Sequence, residues 1–277
     1  MYEIFLRLFK KYSKYALVTS KQKSGVNICL QQNRQLKPDI YDIVCKENYI
    51  KAIMAVALPL ESNPDVMNKY LQKLGVSDKW KMVDVLGLED DALEWVPQPV
   101  LAVLLLFPLS ENYEEYRVNE ENEVKSKGQN VPNDVFHLKQ VLSNICGTVA
   151  LVHSVANNVQ QIDIDEGPLK KYLNDAEGLD AAAKGALLEN STAFLDVYKD
   201  LTGSVDGDAG ETNNHFVTFV HKNGMLVELD GRKSFPIIHG KTTSKNFLKD
   251  AAKICRSFID REPDNIGFNV VALVPAE

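Results

Sequence analysis

The spacing of apolar residues changes several times along this chain, and each change marks an element. In "LESNPDVMNKYLQKLGV" (60–76) Asn63 stands as a cap directly before Pro64, and Gly75 follows the last apolar turn, which predicts a short helix. "WKMVDVLGL" (80–88) and "VLAVLLLF" (100–107) are short apolar runs of strand length. The stretch 110–134 is charged and without period, and reads as exposed and irregular. Residues 145–157 form an apolar helix, with shorter helices following to about Tyr198. "GSVDGDAGETNN" (203–214) reads as a flexible acidic loop. "HFVTFV" (215–220) and "MLVELD" (225–230) then flank "HKNG", whose Asn223-Gly224 pair is a hairpin signal. "NFLKDAAKICRSFIDR" (246–261) is an amphipathic helix and "IGFNVVALV" (266–274) a closing strand. With helices and strands interspersed and a hairpin among them, the fold class is mixed α/β.

Composition adds bounds rather than identity. The 277 residues are 45% hydrophobic and 25% charged, the balance of an ordinary globular chain with room for a sizeable core. No apolar run approaches the roughly 20 residues of a membrane span. Four scattered cysteines without CxxC spacing suit reduced thiols in the cytosol or nucleus, and with five histidines they never cluster as zinc ligands. The net charge of −7 is uneven. Residues 1–53 carry ten Lys/Arg against four Asp/Glu, so the rest of the chain holds about −13. An acidic body does not suit a phosphate backbone; it suits a basic partner or simple solubility. The leader 1–53 opens with "MYEIFLRLFKKYSKY", a basic amphipathic stretch that reads as an appended segment, a membrane-surface contact or an organellar address, with Met54 opening the compact part (54–277).

The candidate chemistry begins at Cys146. A thiol at the first position of a helix lies at the positive end of the dipole, which favours the thiolate. Ser143 or Asn144 is placed to cap that helix, and Gly147 leaves room for a substrate near the backbone. A buried core cysteine is the other reading of the same residue. The hairpin supplies a partner. A two-residue Asn223-Gly224 turn sets His215 opposite Arg232, with Asp230 diagonal to His215 on the same face, roughly 7–8 Å away at the backbone. A carboxylate holding one imidazole nitrogen leaves the other free to take a proton from a thiol. Attack on a carbonyl also needs donors for the oxyanion; the Cys146 N–H is one, and the Gln140 side chain is a second unless it is merely a surface glutamine.

From Leu58 onward the chain resembles the ubiquitin C-terminal hydrolases, papain-like cysteine peptidases. The resemblance rests on "LESNPDVMNKYLQKLGV", "VDVLGLEDD", "VLLLFPL", "KQVLSNICGTVALVHSVANN", "NHFVTFV", "LVELDGRKSFPIIHG", "LKDAAKICRSFIDRE" and "VVAL", in the family's order and at similar intervals. It implies a papain-like α/β (α+β) fold whose central antiparallel sheet carries helices on both faces. It also implies a nucleophile at Cys146, a general base at His215, an orienting acid at Asp230 and an oxyanion-hole glutamine at Gln140. The implied reaction is hydrolysis after ubiquitin's terminal glycine, without metal or other cofactor, by a cytoplasmic and possibly nuclear monomer. The segment 203–213 matches the family's crossover loop, under which the ubiquitin tail threads, and its shortness implies small adducts or short unfolded extensions as leaving groups. Ubiquitin's arginine-rich tail then gives the acidic body a steering role.

The chain departs from the family pattern at Ile145, where Ser or Ala is usual, and in the leader. A bulky Ile145 implies either core packing or crowding of the thiol. With the leader, it leaves open a ubiquitin-sequestering protein with little turnover; a related modifier is a further alternative. Among the remaining candidates, His153 and Cys255 read as core, His137 and His221 as surface, and His239 as a turn residue with a structural hydrogen bond.

Overall fold

The computed structural model describes residues 60–140, 142–202 and 213–276. The leader 1–53 and nearly all of the crossover segment lie outside them. The described chain runs α1 (Pro64–Lys73), β1 (Trp80–Asp84), α2 (Asp90–Leu93), β2 (Ala102–Pro108), α3 (Glu111–Lys127) and, after a 3₁₀ turn (Ser143–Ile145), α4 (Cys146–Ala156). It continues through α5 (Pro168–Asp175), α6 (Ala181–Glu189), α7 (Thr192–Thr202), β3 (Asn214–Lys222), β4 (Met225–Leu229), β5 (Ile237–Lys241), α8 (Phe247–Asp260) and β6 (Asn269–Pro275). The six strands form one sheet in the order β1-β6-β2-β3-β4-β5, every neighbouring pair antiparallel.

Local chemistry explains most boundaries. Asn63 caps α1 by accepting from the Asp65 N–H at 2.9 Å, with Pro64 in the first turn. Gly75 ends the turn at φ 100°, and a side chain there would press on the Asp165 carbonyl oxygen at 3.0 Å. The hairpin turn has both central residues at positive φ, Asn223 at 49° and Gly224 at 79°, which matches the twist of the flanking strands. Its ladder runs from Lys222↔Met225 to Thr218↔Leu229.

Both faces of the sheet are covered, which is why β2 is apolar without alternation. On one face Val103, Leu105, Phe107, Val217 and Phe219 share a core with the apolar stripe of α8. On the other, Thr218 lies opposite Leu104 and donates to the Ala150 carbonyl of α4 at 3.0 Å. All eleven residues of α4 are buried, so its near-continuous apolar sequence reflects cover on every side.

Four expectations need correction. The stretch 110–134 is not irregular: it contains the 17-residue helix α3. Ser110 caps it by accepting from the Tyr113 N–H at 3.0 Å, acids occupy its first turn, lysines its last, and Gly128 stops it. Its apolar residues form no stripe, and ion pairs such as Arg117 with Glu114 (3.0 Å) and Glu121 (3.3 Å) take the place of one, so periodicity could not find it. "PIIHG" is likewise no turn but strand β5, paired with β4 through a register irregularity between Leu226 and Val227. His137 is buried rather than at the surface, and His221 is half-buried rather than exposed.

Candidate active site

His215 is the second residue of β3, directly across from Phe107 in β2, whose ring meets the imidazole edge-on at 5.7 Å. β4 ends at Leu229, so Arg232 leaves the ladder instead of opposing His215. Asp230, the first residue past the strand, turns its carboxylate onto the imidazole, and the His215 Nε2–Asp230 Oδ1 distance is 2.7 Å. The other imidazole nitrogen, Nδ1, is left for the Cys146 side chain, which is hydrogen-bonded to His215. Cys146, His215 and Asp230 are 4%, 2% and 0% exposed, so the relay lies out of bulk water.

Asp230 is held by more than His215. Its Oδ1 also accepts from the Arg232 backbone N–H at 2.8 Å, and its Oδ2 accepts from the Tyr113 hydroxyl at 2.8 Å. The His137 Nε2 lies 3.1 Å from its carbonyl oxygen. Burial by itself would raise the Asp230 carboxyl, but His215, Lys233 and the Arg232 N–H together hold it well below the ordinary carboxylate range. For His215, burial favours the neutral ring. The Asp230 carboxylate and then the Cys146 side chain outweigh it and raise the imidazole from 6.5 to about 9. The ring is therefore protonated near neutrality.

Cys146 opens α4, but not behind a side-chain cap. Neither Ser143 nor Asn144 stands ahead of the helix; both lie within the 3₁₀ turn that feeds it, and Ile145 occupies the cap position with no side-chain hydrogen bond. Isoleucine has no acceptor, so it offers none to the amides of the first turn. Ile145 itself is buried at 4% exposure. The space beside Gly147, expected to admit substrate, is taken by Leu60, whose Cβ would lie 2.7 Å from any added side chain.

Gln140 approaches from a different direction. Its backbone N–H donates to the Gly231 carbonyl at 2.7 Å, tying it to the turn that carries Asp230, and a side chain on Gly231 would meet Gln140 Cβ at 2.8 Å. Its Nε2 donates to the Leu142 carbonyl at 2.7 Å, toward the chain leading into Cys146. Glu189 of α6 accepts from the Leu142 N–H at 3.0 Å.

Sequence reasoning missed several of these groups. Tyr113 was hidden in the stretch read as irregular; the signal for it is Ser110 followed by acids, a helix start. Lys233 was not singled out. It is 1% exposed by side chain and pairs with Glu228, also 1% exposed, and with Glu120 of α3. The signal was Glu228 itself, an acid placed two residues before Asp230 on the same face of a buried strand. His153, by contrast, is a fully buried core histidine accepting from the Leu138 N–H at 3.1 Å. His239 bonds Glu228 at 2.7 Å, and Cys255 is a buried free thiol that burial pushes upward.

Among the described residues no group of three or more His, Cys, Asp or Glu is placed to hold a metal ion, and no helix is long and apolar enough to cross a membrane. Residues 57–260 match the model of ubiquitin carboxyl-terminal hydrolase, family 1. A ubiquitin carboxyl-terminal hydrolase of Drosophila melanogaster is 47% identical over 224 residues, covering 79% of this chain and 97% of that protein. The isozyme L1 of Rattus norvegicus is 40% identical over 221 residues, covering 79% and 98%. In three dimensions, Trichinella spiralis UCH37 bound to ubiquitin vinyl methyl ester matches with a TM-score of 0.61 at 22% identity, covering 79% of this chain and 82% of that one. The fold is the papain-like α/β fold of these hydrolases, and the chain belongs to the ubiquitin carboxyl-terminal hydrolase family.

Proposed function

We propose that this chain is a thiol-dependent deubiquitinase that cleaves after the C-terminal glycine of ubiquitin and releases small adducts or short unfolded extensions. The observation that carries this reading is the hydrogen-bonded series Cys146–His215–Asp230 in a buried setting. In the mechanism, the Cys146 sulfur attacks the glycine carbonyl while imidazolium His215 stands beside it. The tetrahedral oxyanion is met by the Cys146 backbone N–H and the Gln140 side chain. His215 then gives its proton to the leaving amine, and a thioester remains. Neutral His215 takes a proton from water, whose oxygen attacks the thioester; collapse frees the glycine carboxylate and restores the thiol. Asp230 keeps the imidazole oriented and stabilises its charged form throughout.

The acidic body, about −13 beyond residue 53, supports attraction of a basic ubiquitin tail. The small number of residues between α7 and β3 supports small leaving groups, and the unpaired thiols Cys146 and Cys255 are in keeping with a reducing compartment such as the cytosol. The test is hydrolysis of a ubiquitin C-terminal fluorogenic amide by the full chain. Turnover that disappears in Cys146→Ala, with ubiquitin binding retained, is the expected result. Turnover persisting in that variant sinks the mechanism.

A further inference from the structure

Helix α3 faces the turn carrying Asp230 with one stripe of side chains. Tyr113 donates to Asp230, Glu114 pairs with Arg232, Glu120 with Lys233, and Glu121 accepts from the Ser234 N–H at 3.1 Å. Positions i, i+1, i+7 and i+8 share a helix face, so four contacts of one helix clamp five residues of one turn. Only Tyr113 touches the carboxylate itself. It is 3% exposed, its ring lies edge-on to Phe107 at 4.6 Å and tilted against Phe258 at 6.0 Å, and its oxygen is 2.8 Å from Asp230 Oδ2.

We infer that Tyr113 is a positioning residue of this site: by donating to Asp230 Oδ2 it fixes the plane of the carboxylate and limits how strongly Oδ1 holds the His215 proton. The catalytic half of this inference rests on the function proposed above; the geometric half does not. Asp230 has two oxygens and no solvent. Oδ1 is shared by the His215 ring and the Arg232 N–H, while Oδ2 accepts from Tyr113. A hydroxyl donated to a carboxylate stabilises the anion and draws charge toward that oxygen. Without it, a buried carboxylate oxygen loses its donor, and the negative charge falls more heavily on the bond to the imidazole. The charged and titratable groups around the carboxylate are His215 with Cys146 beyond it, Lys233, Glu228 and His137. Tyr113 stays a neutral donor among them, because burial and then the Asp230 charge push its hydroxyl well above the ordinary tyrosine range.

Tyr113→Phe isolates the hydroxyl, since the ring keeps its place between Phe107 and Phe258. The measurement is the His215 imidazole titration by NMR in the full chain, which needs no substrate and so separates this inference from the deubiquitinase reading. The expected result is a midpoint about one pH unit higher in Tyr113→Phe, because the more basic carboxylate holds the imidazolium more tightly. Tyr116→Phe, which removes a hydroxyl of the same helix that bonds Glu120 instead, leaves the midpoint in place. Where the full chain turns over the fluorogenic amide, Tyr113→Phe lowers kcat on the order of tenfold at unchanged KM, through the misplaced imidazole. An unmoved His215 midpoint overturns the inference, and so does an unaltered kcat in an active chain.

Discussion

Two histidine–carboxylate pairs stand a few residues apart in this molecule and look alike at the level of the bond. His215 meets Asp230 at 2.7 Å, and His239 meets Glu228 at 2.7 Å; both acids are buried. They differ in the third group. Beyond His215 lies the Cys146 thiol, whereas beside Glu228 lies the buried ammonium of Lys233. The first acid has its charge directed into an imidazole that faces a nucleophile. The second has its charge balanced by a fixed cation and leads to no reactive atom. A His–acid pair is therefore no signature of catalysis; what the far nitrogen faces decides.

The largest separation between the pairs is expected in turnover. Asp230→Asn removes the charge that supports imidazolium His215 and should lower kcat by roughly 10²- to 10⁴-fold, the span general acid–base catalysis contributes. Glu228→Gln, the same chemical change in the other pair, should leave kcat within a few-fold. Steady-state kinetics on the fluorogenic amide checks both, and equal losses would erase the distinction.

The second contrast is in stability. Lys233→Met strands Glu228 in the interior beside His239, and breaking a buried pair by removing one partner costs about 3–5 kcal/mol. The double change Lys233→Met with Glu228→Gln leaves no uncompensated charge and should recover most of that loss in urea denaturation. If the double variant is no more stable than the single one, the pair is not what holds this turn. Lys233 also bonds Glu120 of α3, which sets a floor on the recovery.

How much of this was legible in the chain depends on the kind of order involved. The Asn-Gly turn dictates the register of β3 and β4, and that register alone puts Asp230 beside His215. The apolar runs gave β2 and α4 because a buried element needs little pattern beyond hydrophobicity. The helix α3 was not legible, since its cohesion comes from Arg117 and its neighbouring glutamates rather than from an apolar stripe. With α3 unseen, Tyr113 and the Glu120–Lys233 contact were unseen too. Gly147 was legible as a close approach, but a sequence cannot say whether substrate or Leu60 comes close. Ser143 and Asn144 carried the right chemistry for a cap, yet the chain enters α4 already coiled as a 3₁₀ turn, one step too early for either to serve.

The smallest expected effect concerns pH, and its sign follows from the same comparison. His215 is raised from 6.5 in the unfolded chain to about 9 in the fold, so the folded state binds its proton more tightly. A group raised in this way contributes stability that is fully present below about pH 6.5 and is lost as pH climbs through about 9. The size of a shift from 6.5 to about 9 corresponds to about 3 kcal/mol. Asp230, held low, works in the other direction of pH. Its contribution is present above the ordinary carboxylate range and disappears only in strong acid, far from the His215 window. Urea midpoints measured from pH 6 to pH 10 should therefore fall across the upper part of that range in the parent chain. In His215→Gln, which cannot titrate, the same stretch should be flatter. A parallel fall in both would assign the alkaline loss to other groups and would remove the imidazolium from the resting state of the site.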